Sequence, residues 1–112
     1  MAAGTYNFTL EQGSTFSRQI TVQENSTALN LTGYTARMQM RSTHDSSTIA
    51  LTYTSTIASP ASNGKINLSA TATQTASIEE GMYVYDLEIE SSGGVVTRLM
   101  EGTVTVTPEV TR

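Results

Sequence analysis

The sequence predicts an all-β chain, an immunoglobulin-like antiparallel β-sandwich of about seven strands with one short helical turn before the sixth. Three observations predict it. Apolar and polar residues alternate at a spacing of two through most of the 112 residues. Turn residues recur roughly every ten positions, the rhythm of a sandwich. Glu79-x-Gly81-x-Tyr83-x-Tyr85 has the spacing of the corner that opens the sixth strand of such folds, with Tyr85 where a Cys often stands.

The elements follow in order. Tyr6, Phe8 and Leu10 alternate with Asn7 and Thr9, and Gly13 breaks the run. Phe16, Arg18, Ile20 and Val22 share one parity, with Arg18 the residue out of pattern. Glu24 to Thr27 reads as a turn. Leu29, Leu31 and Gly33 lead into Tyr34, Ala36, Met38 and Met40, a long alternating strand. Ser42 to Ser47 is polar loop. Ile49, Leu51 and Tyr53 begin the next strand. Asn63-Gly64 favours a tight turn, since both residues tolerate positive φ, and Ile66 and Leu68 follow it. Ser69 to Ile78 has near-helical spacing, with Ser69 or Thr71 as cap; its threonines limit it to one or two turns, ended by Gly81. Tyr83, Tyr85, Leu87 and Ile89 face one way and Asp86, Glu88 and Glu90 the other. Ser91 to Gly94 turns the chain, and Val96, Met100, Val104 and Val106 share a parity on the return. Gly102 there signals a bulge or a close backbone approach, and Pro108 stops the strand. Residues 1–112 therefore form a single domain with short N- and C-terminal arms. Tyr83, in the corner, is expected to bond back toward Ala76–Ile78.

Composition narrows the function. With no Cys, disulfide scaffolds and Cys-ligated metal sites are excluded. The net charge of −4 and six scattered basic residues argue against nucleic acid, whose binders carry an excess of Lys and Arg. No run approaches the roughly 20 apolar residues that span a bilayer. The start has no basic segment followed by an apolar one, so no secretory signal is expected. Only 14% of residues are charged. A surface rich in hydroxyls and poor in charge needs little desolvation to dock on another protein.

Catalytic constellations are absent from the pattern. His44, the one His, adjoins Asp45, Ser46 and Ser47 in a polar loop. Adjacent loop residues do not supply an oriented nucleophile, base and carboxylate, so a solvated loop is expected and no enzyme. Asp86, Glu88 and Glu90 stand in a row that cannot converge on a calcium ion; a solvated outer face is expected, and no cofactor or metal. Asn7, Asn25, Asn30 and Asn67 open Asn-x-Ser/Thr frames, which abundant Ser and Thr produce by chance.

Leu31-Thr32-Gly33-Tyr34, Gly64 to Ser69, Gly81 to Leu87, Gly94 to Gly102 and Val104 to Arg112 carry an ordered pattern. It resembles small tailed-bacteriophage virion proteins related to the immunoglobulin-like N-terminal domain of baseplate upper proteins. The resemblance implies a non-enzymatic tail or baseplate adaptor or connector. It would sit in the virion in several copies and pack against other virion structural proteins. A capsid decoration or head-fibre protein of the same fold is the alternative. A carbohydrate-binding module, using Tyr6, Tyr34 or Tyr53 as a glycan platform, is the second. Polar termini are expected to act as interaction arms: Thr5, Tyr6 and Asn7 at one end, and Thr107, Pro108, Glu109, Val110, Thr111 and Arg112 at the other.

Overall fold

A computed structural model describes residues 4–24 and 26–110. Among these residues ten strands follow one another: β1 (Gly4–Thr5), β2 (Phe8–Glu11), β3 (Phe16–Thr21), β4 (Gln23–Glu24), β5 (Thr27–Ala28), β6 (Thr35–Arg41), β7 (Leu51–Ile57), β8 (Lys65–Ala70), β9 (Gly81–Glu90) and β10 (Val96–Thr107). A 3-10 turn at Ala61–Asn63 precedes β8, and the helix α1 (Ala72–Ala76) precedes β9. The fold is all-β and immunoglobulin-like.

The long strands form one curled sheet in the order β1-β10-β9-β6-β7-β8-β3, with β2 also on β10. β7 carries the sheet from one layer to the other. Its first residues pair with β6 (Met38 opposite Tyr53, Met40 opposite Leu51). Its last pair with β8 (Thr54 opposite Ser69, Ile57 opposite Ile66). The core between the layers holds Leu10, Leu31, Met38, Met40, Ile66, Leu68, Leu87, Ile89 and Val104, each at most 2% exposed. These are the inward members of the alternating runs, and their burial is the main stabilising term.

One difference from the antiparallel expectation lies at the N-terminus. β1 and β2 run parallel to β10, with Thr5 opposite Glu101 and Phe8 opposite Val104. Gly102 is the close approach there: a Cβ on it would fall on the Tyr6 carbonyl. The bulge in β10 lies earlier, between Arg98 and Met100. Leu99 is the extra residue, and it reverses the parity of what precedes it. Val96 therefore pairs with Glu90 and is 46% exposed rather than inward.

The helical segment is shorter than Ser69–Ile78 and ends before Gly81. Thr71 caps it, accepting from the Gln74 amide at 3.1 Å while the Gln74 side chain accepts from the Thr71 amide at 2.8 Å. Ser69 belongs to β8, and Gly81 opens β9 instead of closing the helix. Inside α1, Thr75 is fully buried and donates to the Ser14 carbonyl at 2.8 Å. That bond ties the helix to the turn between β2 and β3.

Candidate functional site

The sheet has two edges that meet. β3 ends the strand order on one side and β2 borders β10 on the other. Only Gln12 to Thr15 separates them in sequence, so they lie side by side at the open flank of the sandwich. Among the described residues no backbone ladder joins β2 to β3. Side chains close the seam instead. The rings of Phe8 and Phe16 stack at 5.4 Å between centroids. Phe8 meets Tyr85 edge-on at 5.0 Å and Phe16 meets Tyr53 at 5.3 Å, so the stack continues into the core.

Arg18 covers this cluster. Its guanidinium lies 5.7, 5.4 and 5.3 Å from the ring centres of Tyr6, Phe8 and Phe16, and it donates to the Tyr6 hydroxyl at 3.0 Å. Its place out of pattern in the sequence now has a cause. Arg18 sits on the inward parity at a sheet edge, where a long cationic side chain spreads its stem and flat head over aromatic faces and still reaches water. Beside it runs a cleft of about 240 Å3 lined by Thr9, Leu10, Glu11, Ser14, Thr15, Phe16 and Arg18.

The turn that brings the two edges together is held from behind. Gln12 donates through Nε2 to the Ile78 carbonyl at 2.7 Å and accepts through Oε1 from the Glu109 amide at 3.0 Å. The aromatic cluster also shifts its own phenols. Burial pushes the Tyr85 hydroxyl up to about 12 from an ordinary 10.0. Burial first, and the neighbouring Tyr85 second, push Tyr53 upward as well.

A second, smaller cavity of about 140 Å3 opens on the outer face of β6, β9 and β10. His44 lines it with Gln39, Arg41, Asp86, Arg98 and Glu101. The loop carrying His44 is pinned over the sheet by Arg41, which donates to the Ser46 carbonyl at 2.9 Å. Desolvation, then the charge of Glu88, raise the Asp86 carboxyl, partly offset by Arg98. The carboxylates of this face are paired rather than merely solvated. Arg37 reaches Glu88 and Glu90, each at 2.9 Å, and Arg98 reaches Asp86 at 3.3 Å and Glu101 at 3.7 Å. Among the described residues no three His, Cys, Asp or Glu side chains are placed to hold a metal.

Of the residues singled out from sequence, the corner set divides in two. Tyr83 donates its hydroxyl to the Glu79 carbonyl at 2.8 Å, one residue beyond Ala76–Ile78. Tyr85 points inward and donates to the Tyr6 carbonyl at 2.6 Å. Gly81 begins β9 with φ of 146°. The terminal residues do not hang as arms where the structure describes them. Thr5 pairs with Glu101, the Tyr6 amide donates to the Glu101 carbonyl at 2.9 Å, and Asn7 accepts from the Thr103 amide at 2.9 Å. Thr107 pairs with Glu11 inside β10, and Glu109 is held by Gln12. Pro108 and Val110 are exposed, Val110 at 90%. Thr111 and Arg112 lie outside the described residues. The correction has one cause: the two ends complete each other's hydrogen bonds on β10.

Nothing in the residue pattern marks the seam as a site. Phe8 and Phe16 read as ordinary inward residues, and the only signal was the charge of Arg18 in an apolar parity.

No family model matches the chain, and no curated protein matches it. Among solved structures, the fold is similar to that of CopC from Methylosinus trichosporium OB3b, with a TM-score of 0.42 and 14% identity. The match covers 69% of this chain and 66% of that one, just under two thirds of its length. The comparisons give the expected tail or baseplate adaptor no support, and it is withdrawn together with the capsid-decoration and carbohydrate-module alternatives. The tyrosines give the last of these a physical reason. Tyr53 is 3% exposed and Tyr34 is half-buried against the core, so of the three only Tyr6, 46% exposed with Arg18 over its ring, could face a glycan.

Proposed function

We propose that this chain is a non-enzymatic binding module that captures an extended segment of another polypeptide along the seam between β2 and β3. One observation carries the reading: two unpaired strand edges flank a cleft, and side chains alone bridge it. An exposed strand edge offers a row of backbone donors and acceptors to an incoming strand. β3 contributes six residues to such a row, and Arg18 is the one charged residue among them. The cleft beside it is lined mainly by hydroxyl-bearing and apolar groups, which cost little to desolvate.

Amide hydrogen exchange and NMR shift mapping test this against a panel of extended peptides. Slowed exchange and shift changes concentrated on Phe16–Thr21, with the outer face of β6 and β9 unaffected, are expected. Perturbation confined to the outer face, or none at any peptide concentration up to the millimolar range, would discard the reading.

A further inference from the structure

We infer that the segment held at the seam presents a carboxylate to Arg18. This rests on the strand-capture reading and goes beyond it by naming what the site selects. The chain has ten acidic and six basic residues, so a basic side chain does not lack acids to pair with. Arg37 takes two carboxylates and Arg98 takes two. Arg41 spends donors on the Ser46 carbonyl and the Gln39 side chain. Arg18 makes no ion pair among the described residues, and the Tyr6 hydroxyl is the one acceptor it reaches.

A guanidinium carries five N–H donors in a flat fork whose edge matches a carboxylate. The guanidinium already lies against three rings and bonds the Tyr6 hydroxyl, so part of its side-chain freedom is spent before an acid arrives. Hydroxyls of Thr9, Ser14 and Thr15 line the same cleft. Glu11 is its other charged group, beside the turn, where its backbone carbonyl accepts from the Ser14 amide. It disfavours a second acid there, so the selected carboxylate belongs at the Arg18 end. The chemistry recognised is an acidic side chain within an otherwise neutral, strand-forming segment.

The experiment uses capped Thr–Val repeat peptides of roughly seven residues, a length that suits one strand, with Glu, Gln or Lys at the centre. Calorimetric titration of the whole chain reads their affinities. The Glu peptide is expected to bind about tenfold more tightly than the Gln peptide, as a charge-assisted hydrogen bond implies, with Lys weakest. The Glu-over-Gln preference is expected to vanish in Arg18→Met, which keeps an apolar cover on the rings, and to be reduced in Arg18→Lys, which keeps charge without the fork. Thermal melts report whether each variant is folded, and the wild-type comparison needs no variant. Equal binding of Glu and Gln peptides by the wild type, or a preference that survives Arg18→Met, overturns the carboxylate inference and leaves strand capture standing. Absence of any protection along β3 with all three peptides overturns strand capture itself.

Discussion

Arg18 shows how one side chain does the work of a missing ladder. Its stem and head cover Tyr6, Phe8 and Phe16 at a place where backbone pairing stops. The same cluster makes the fold sensitive to alkali. Burial holds the Tyr85 phenol at about 12 in the folded chain, against an ordinary 10.0 in an unfolded one. The unfolded state therefore releases its proton first, and stability that is intact below the lower value is lost as pH rises toward the higher. Tyr53 adds to this in the same direction. Among the described residues its hydroxyl has only the Met40 sulfur, at 3.6 Å, as partner. Tyr53→Phe is accordingly expected to keep its unfolding free energy from urea titration at neutral pH within about 1 kcal/mol of the wild type and to lose less stability above pH 10. Identical alkaline losses in both chains would count against that account.

Ser55 is the opposite case at the same scale. Its Oγ is buried without a hydrogen-bond partner among the described residues, on β7 opposite Leu68. An unsatisfied buried hydroxyl costs about 1–3 kcal/mol. Ser55→Ala is expected to raise the melting temperature by several degrees. A fall in calorimetry would instead mean that the hydroxyl is satisfied in solution.

Among the elements, those that announce themselves locally were legible. The Ser91–Gly94 hairpin, the alternation of β6 and β9 and the Thr71 cap each rest on residues a few positions apart. The pairing of β1 with β10 was not legible, because nothing in Gly4 and Thr5 indicates a partner at Met100 and Glu101. Gly102 was the trace it left: the sequence marked a close backbone approach without naming what approached. The parity of Val96 was misread because the Leu99 bulge has no glycine or proline to betray it. Gly102→Ala is therefore expected to act through the N-terminal strand. The new Cβ falls on the Tyr6 carbonyl and 2.7 Å from the Asn7 Oδ1. A loss of about 1–3 kcal/mol should accompany it, with faster hydrogen exchange at the Tyr6 amide and little change in β7 and β8. Uniformly faster exchange throughout would point to a global effect and sink this local one.

The candidate site belongs to the molecule as a whole, which is why the sequence hid it. A seam exists only once a sheet has curled far enough to bring its own edges together. The strands that flank it are adjacent in sequence, yet the layers they border are joined at the far side through β7. No short motif encodes such a closure. The inward parity of Phe8 and Phe16 was readable; that they would be left without a backbone ladder between them was not.

The parallel seating of β1 and β2 on β10 has a mechanical consequence. The first and last strands of the chain point the same way and are bonded side by side from Gly4 to Glu11. Tension applied through the two ends pulls these neighbours past each other lengthwise, so the bonds between them bear load together instead of parting one at a time. The unit should resist stretching well and then fail abruptly when that one contact slides. Single-molecule pulling should show one high force peak from the termini. A pull from Gln12 and Pro108, which lie at the same end of the contact, should peel it open bond by bond at lower force.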